Sequence, residues 1–175
     1  MIGRPDRTIV VPMTNTTHLV RAGDAEVLDG DPGGTITLLA DAPDTGGALS
    51  AHRSTFRDGA AGAPPHTHHE ATELFLVLDG ALRVLVGGDV TVLRAGDLLV
   101  VPPDVAHAFE AAPGHDAEVL FVLAPARERA EYYRLLDRVH RGRGDWAEVG
   151  ASQERFDNHY VDSAAWAGRD GADGN

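Results

Sequence analysis

The segment Pro64-Pro65-His66-Thr67-His68-His69-Glu70-Ala71-Thr72-Glu73 is the most informative in the chain, packing three histidines and two glutamates into eight positions. In extended backbone, residues i and i+2 project to one face. His66 and His68 therefore point together, and His69 points away. Two adjacent imidazoles suit a borderline-soft divalent metal such as Ni, Fe, Co, Mn or Zn, and a carboxylate beside them favours an open coordination site. Two glutamates compete for that role. Glu70 continues the His66, His68 alternation. Glu73 opens the apolar run Leu74 to Leu78, read as a strand whose in-facing residues are Phe75 and Val77. Rigid strands hold ligands better than loops, which favours Glu73. The run Leu98-Leu99-Val100-Val101-Pro102-Pro103-Asp104-Val105-Ala106-His107-Ala108-Phe109 reads as strand, proline turn and second strand, with His107 at its opening. A lone histidine on an apolar strand is ordinarily a core residue; the cluster upstream makes His107 the candidate fourth ligand.

On either side of these segments the chain is a series of short apolar runs broken by Gly, Pro and Asp. Thr35–Ala40, Leu49–Phe56, Glu73–Leu78, Leu82–Val86, Val90–Leu93, Leu98–Val101, His107–Glu110 and Glu118–Leu123 read as strands rich in Val, Leu and Phe. Asp79-Gly80, Gly87-Gly88-Asp89, Ala95-Gly96-Asp97 and Pro113-Gly114 read as the turns between them. Many short strands at close spacing indicate an antiparallel sandwich or barrel. After Pro125 the pattern changes. Tyr132, Leu135, Leu136 and Val139 recur at helical spacing, so 127–140 is predicted to be an amphipathic helix ended by Gly142 and Gly144. A second short helix is expected within 148–162. The expected organisation is an N-terminal arm or strands over 1–34, a barrel over 35–125, a helical segment over 126–165 and a disordered tail over 166–175.

The two histidine segments resemble the two motifs of the cupin superfamily. The first has His66-x-His68, four residues, Glu73, six residues and Gly80. The glycine expected before it is displaced: position 60 is Ala, flanked by Gly59 and Gly62. The second has Gly96, five residues, Pro102, then Asp104 where the family has Gly, His107, and Ala111 where the family has Asn. Asp tolerates a left-handed backbone better than most residues, and Ala111 removes no ligand. The resemblance implies an all-β cupin (double-stranded β-helix, jelly-roll) barrel with C-terminal helices, holding one divalent transition metal through His66, His68, Glu73 and His107. Phe75, Val77, Val105 and Phe109 are expected to share the inward face and border a substrate pocket, with His52 a further candidate on the preceding strand.

Bulk composition bounds the function. The chain of 175 residues has 15 Lys plus Arg against 27 Asp plus Glu, a formal charge of -12. Such a surface repels phosphate backbones and anionic lipid, which argues against nucleic-acid and membrane partners. With no cysteine, disulfides, thiolate ligands and thiol nucleophiles are excluded. No apolar run reaches the roughly 20 residues of a membrane span, and the start of the chain lacks a signal-peptide pattern, so a cytoplasmic location is expected.

The C-terminal segments 131–138 and 154–160 resemble those of single-domain quercetinase-like cupins. That resemblance implies a flavonol 2,4-dioxygenase type of reaction on an aromatic or enolic small molecule. Glu73 would take the proton of an acidic hydroxyl, and dioxygen would then cleave the ring with loss of carbon monoxide. Two alternatives remain open: a cupin isomerase, dehydratase or cyclase acting on a polyketide-like or sugar-like compound, and a non-catalytic small-molecule binder. A homodimer is expected by analogy with other cupins.

Overall fold

A computed structural model of the chain describes residues 17–169. Its strands are β1 (Glu26–Leu28), β2 (Gly34–Ala40), β3 (Ser50–Phe56), β4 (His66–Thr67), β5 (Thr72–Val86), β6 (Asp89–Arg94), β7 (Leu98–Val101), β8 (His107–Ala111), β9 (Ala117–Ala124) and β10 (His159–Tyr160). The helices are α1 (Ala42–Thr45), α2 (Arg129–His140), α3 (Trp146–Ala151), α4 (Gln153–Phe156) and α5 (Ala164–Ala167). Every strand pairing is antiparallel.

β5 organises the barrel. Its first half pairs with β9 and β7, in the sheet that continues through β3, β2 and β1. Its second half pairs with β6 and β8, in the sheet that continues through β4 to β10. The sequence pattern predicts a turn at Asp79-Gly80 between two strands. The structure has one strand there instead, with a register shift between Val77 and Asp79 against β9 and Gly80 in the left-handed region at φ 71°. An extra residue opposite one partner bends and twists a strand, and here it carries β5 from one sheet into the other. A Cβ at Gly80 would lie 2.0 Å from the Asp116 carbonyl oxygen. Gly80→Ala is therefore expected to destabilise the fold by at least about 1–3 kcal/mol from backbone strain alone, with the clash added. Denaturant unfolding reads this as a lowered midpoint at unchanged slope.

The barrel interior is filled by Phe75, Val77, Leu82, Val84, Val101, Phe109, Val119 and Phe121. Phe121 meets Phe75 and Phe109 at ring separations of 4.9 and 4.8 Å. The alternation around Leu82 suggests a sheet buried more deeply on one face, yet both faces of this half of β5 are covered. Leu85 and Ala108 pack on Trp166 of α5 on the outside. The tail expected from residue 166 is thus structured at its start, with Trp166 buried and Arg169 donating to Glu110; positions 170–175 and 1–16 lie outside the described residues.

The predicted helix over 127–140 is α2. A helix of this length is marginal in isolation, and packing holds it. Tyr132, Leu135 and Val139 join Leu28, Val149 and Phe156 in a second apolar cluster, with Ile36, Leu38 and Leu136 at its margin. Asp41 caps α2 from a distant segment: its carboxylate oxygens accept from the Arg129 and Ala130 backbone N–H groups. These contacts set the C-terminal segment against β1 and β2, where it shares a cavity lining with the barrel. Among the described residues, no helix is long and apolar enough to cross a membrane.

Candidate metal centre

His66, His68, Glu73 and His107 converge, one ligand atom from each lying within 4.8 Å of all the others, and all four are buried. Three elements supply them. β4 carries His66, and His68 follows directly after it. Glu73 is the second residue of β5. His107 opens β8, where it is the register partner of His66. Asp104, in the turn before β8, adopts the left-handed conformation at φ 64° in the place where the motif has glycine. Its backbone N–H donates to the His68 carbonyl at 2.7 Å, tying the two motif segments together.

All three imidazoles are held from behind by backbone carbonyls. His66 Nδ1 bonds Pro64 O at 2.8 Å, His107 Nδ1 bonds Val105 O at 2.8 Å, and His68 Nδ1 bonds Asp157 O. A carbonyl only accepts, so each Nδ1 carries the hydrogen and a neutral ring keeps its lone pair on Nε2. This is the tautomer that metal-ligating histidines adopt, with the far nitrogen hydrogen-bonded to orient the ring. His107 Nε2 and His68 Nε2 face Glu73 Oε2 at 2.8 and 3.2 Å. Two imidazole lone pairs and a carboxylate oxygen crowded together call for a cation among them. A metal with bonds of about 2.1 Å holds neighbouring ligands roughly 3–4 Å apart; the four donors are close enough to draw in around one and could hold a metal ion.

The electrostatics agree. Burial lowers the pKa of His66, and the neighbouring His107 and His68 lower it further, so His66 is well below its ordinary value and neutral. For Glu73, burial alone raises the carboxyl, but His107 and His68, which without a metal donate to it from Nε2 in their protonated form, outweigh that effect and hold the group well below the usual carboxylate range. His107 is depressed by burial but raised overall by its bond to Glu73.

Glu70, the rival carboxylate, is exposed and pairs with Arg127. His69 is exposed and bonds Asp104 at 2.7 Å. His18, His115 and His140 are exposed; His159 is half-buried, with its ring 3.9 Å from that of His69.

A cavity of about 700 Å³ opens beside the cluster. His66, Glu73, His52 and Phe109 line it on the barrel side, and Arg129, Tyr132, Tyr133 and Tyr160 on the side of the C-terminal segment. His52 and Phe109 thus reach the cavity. Phe75 and Val77, expected there, instead lie in the packed interior, and Val105 packs at its edge. Glu73, Phe75 and Val77 alternate along β5, but of the three only Glu73 lines the cavity; Phe75 and Val77 are packed in the interior, where Phe75 meets the rings of Phe109 and Phe121. His52 stacks on Phe121 at 4.8 Å and meets Tyr133 at 4.3 Å. Burial lowers its pKa to about 3, so this ring is neutral near pH 7.

Sequence reasoning missed Asp157. Its carbonyl holds His68, and its carboxylate accepts from three consecutive backbone N–H groups, His69, Glu70 and Ala71, at 2.7, 3.0 and 3.1 Å. β10 beside it pairs with β4, placing Tyr160 opposite His66. Asp157→Ala leaves those amides without their acceptor, at about 1–3 kcal/mol for each that stays buried. It is expected to weaken metal uptake by about 10–100-fold through misplacement of His68. Metal titration of the folded variant checks this; unchanged affinity removes the positioning role.

Residues 52–123 match the family model for the cupin domain, and the fold is an all-β cupin barrel with C-terminal helices. Solved structures agree. KdgF from Halomonas sp. is 27% identical, with 66% of this chain and 99% of that chain covered and a TM-score of 0.56. An RmlC-like cupin from Shewanella frigidimarina is 27% identical, with 66% and 96% covered and a TM-score of 0.55. The polyketide cyclase RemF from Streptomyces resistomycificus is 19% identical, with 71% and 98% covered and a TM-score of 0.52, a likeness of fold. None of the curated proteins compared matches the chain.

Proposed function

We propose that this protein is a metal-dependent cupin enzyme whose ligands are His66, His68, Glu73 and His107, acting on a small enolic or phenolic compound as a dioxygenase of the quercetinase-like type. The observation that carries the reading is the threefold anchoring of Nδ1 on backbone carbonyls, which leaves three Nε2 donors around one ionised carboxylate at a cavity wall. A divalent Ni, Fe, Co, Mn or Zn ion, when bound there, supplies Lewis acidity toward a substrate anion and, for the redox-active metals, a route for electrons between that anion and dioxygen.

The chain's own residues do the rest. Glu73 takes the proton of the acidic hydroxyl at its free oxygen. The rings of Phe109, Tyr133 and neutral His52 present flat, largely apolar walls that exclude water and favour a planar substrate. Exposed Leu78, Leu98 and Val100 on the outside of the sheet support the expected homodimer.

Metal analysis of the purified protein, followed by oxygen consumption and carbon monoxide detection against a flavonol panel, tests the reading. Metal-loaded protein that turns over an enolic substrate without taking up oxygen would move the assignment to the second reading, a non-redox isomerase, dehydratase or cyclase. That reading is favoured by the polar side of the cavity, where Arg129 and Asn158 offer donors that a neutral flavonol does not need.

A further inference from the structure

Arg129 opens α2 at the cavity wall, and its side chain is buried at 3% exposure. A guanidinium is charged at every accessible pH, and burying a cation is costly unless an anion compensates it. The other buried arginine follows that rule: Arg83 pairs with Glu110. Arg129 has no such partner among the described residues. Nη1 donates to the Phe156 carbonyl at 2.7 Å, and Nη2 reaches the Asn158 side-chain oxygen only at 3.5 Å. Nε is buried without an acceptor. The charge lies over the rings of Tyr132 and Tyr133, at 5.0 and 5.5 Å from their centroids. Asp41, at the same helix start, commits its carboxylate to backbone N–H groups.

The charge balance of the cavity points the same way. The imidazole of His52 on its wall is neutral near pH 7. Of the other acidic lining residues, Asp137 pairs with Arg141, Asp31 accepts from the Gly33 backbone N–H and Asp162 is exposed; among the buried lining groups, a divalent cation beside Glu73 together with Arg129 would outweigh the single carboxylate. A ligand with two anionic groups restores neutrality: one a carboxylate, the other a hydroxyl that ionises. A guanidinium matches a carboxylate in planar geometry as well as charge.

We propose that Arg129 is the carboxylate-binding residue of this cavity and that the substrate is an aromatic or enolic hydroxy acid, its carboxylate held by Arg129 and its acidic hydroxyl turned toward Glu73. The assignment rests on the cavity being the substrate site. Tyr133, His52 and Phe109 would hold the ring between these two ends.

The test measures binding of 6-hydroxy-2-naphthoate and its uncharged methyl ester to the full chain, stripped of metal with chelator and loaded with nickel, by ligand fluorescence. The hydroxyl and carboxylate of this probe are too far apart to chelate, and the metal-free form gives a readout that does not depend on the metal. The acid is expected to bind at least about tenfold tighter than the ester in both forms. Arg129→Gln should abolish that preference, read as the ratio of acid to ester affinity, and Arg129→Lys should retain part of it. Equal binding of acid and ester by the wild type, no binding of the acid at millimolar concentration, or an undiminished preference in Arg129→Gln overturns the proposal. If Arg129→Gln does not fold, the wild-type ratio and its reduction in Arg129→Lys decide. A protein that keeps the acid preference yet takes up no metal sinks the metal-enzyme reading and leaves Arg129 assigned. One that consumes oxygen with neutral flavonols and binds acid and ester alike does the reverse.

Discussion

Replacing His66 and His68 together by alanine abolishes stoichiometric metal uptake while the far-ultraviolet circular dichroism stays β-rich. The double variant loses two of three imidazole donors and keeps only His107 and Glu73, one neutral ring and one carboxylate on different strands. Loss of a group that merely orients a ligand costs about 10–100-fold in affinity, so loss of two donors is expected to cost far more. Stability reports the same event. A metal at a thousand times its dissociation constant stabilises the folded state by about 4 kcal/mol, which for a chain of this size raises the thermal midpoint by roughly 8–16 °C. The wild type should show that rise on titration with nickel, cobalt or iron salts, and the double variant should show none. The barrel should survive, because its interior is built from Phe75, Val77, Leu82, Val84, Phe109, Val119 and Phe121, none of which is altered. Stoichiometric metal in the folded double variant would refute the ligand assignment.

Glu73→Gln should separate binding from chemistry. The amide has the size of the carboxylate and keeps one oxygen, so some metal is retained at reduced affinity. It cannot accept a substrate proton. Removing a positioned general base costs about 10²–10⁴-fold in turnover. The wild-type carboxylate is ionised, and so able to accept a proton, because the histidines beside it overcome the effect of burial. Turnover per bound metal, measured with the flavonol panel, reads the effect. Full activity per metal would remove Glu73 as the base. A variant that binds ligand as the wild type does, where neither turns over any enolic substrate, would point to a binding protein instead of an enzyme.

Much of the architecture is visible in local sequence. The alternation of apolar residues marks the strands, glycines at Gly87-Gly88 and Gly96 mark real turns, and the helical spacing of Tyr132, Leu135 and Val139 marks α2. The Asp79-Gly80 pair shows the limit of that approach. The dipeptide has turn chemistry, but whether the chain reverses or bends there depends on the partner strand, and β9 runs alongside both residues. The pocket shows the same limit. Period-2 alternation puts Glu73, Phe75 and Val77 on one side of a strand, but it does not tell the residue that lines the cavity from those packed in the barrel interior.

The amino-acid string specified the kind of donors, their spacing and the strands that carry them. Those follow from two short segments whose extended backbone aims side chains by a period of two, and this needs no knowledge of distant contacts. The partners of those donors were settled only when the chain closed on itself. Asp157 meets His68 across 89 positions, and Arg129 and Tyr133 face His52 and Glu73 because α2 docks on β1 and β2 through apolar contacts. No periodicity or spacing encodes such a meeting. It arises from burial of a helix face against a sheet, and that burial sets what the cavity presents to a ligand.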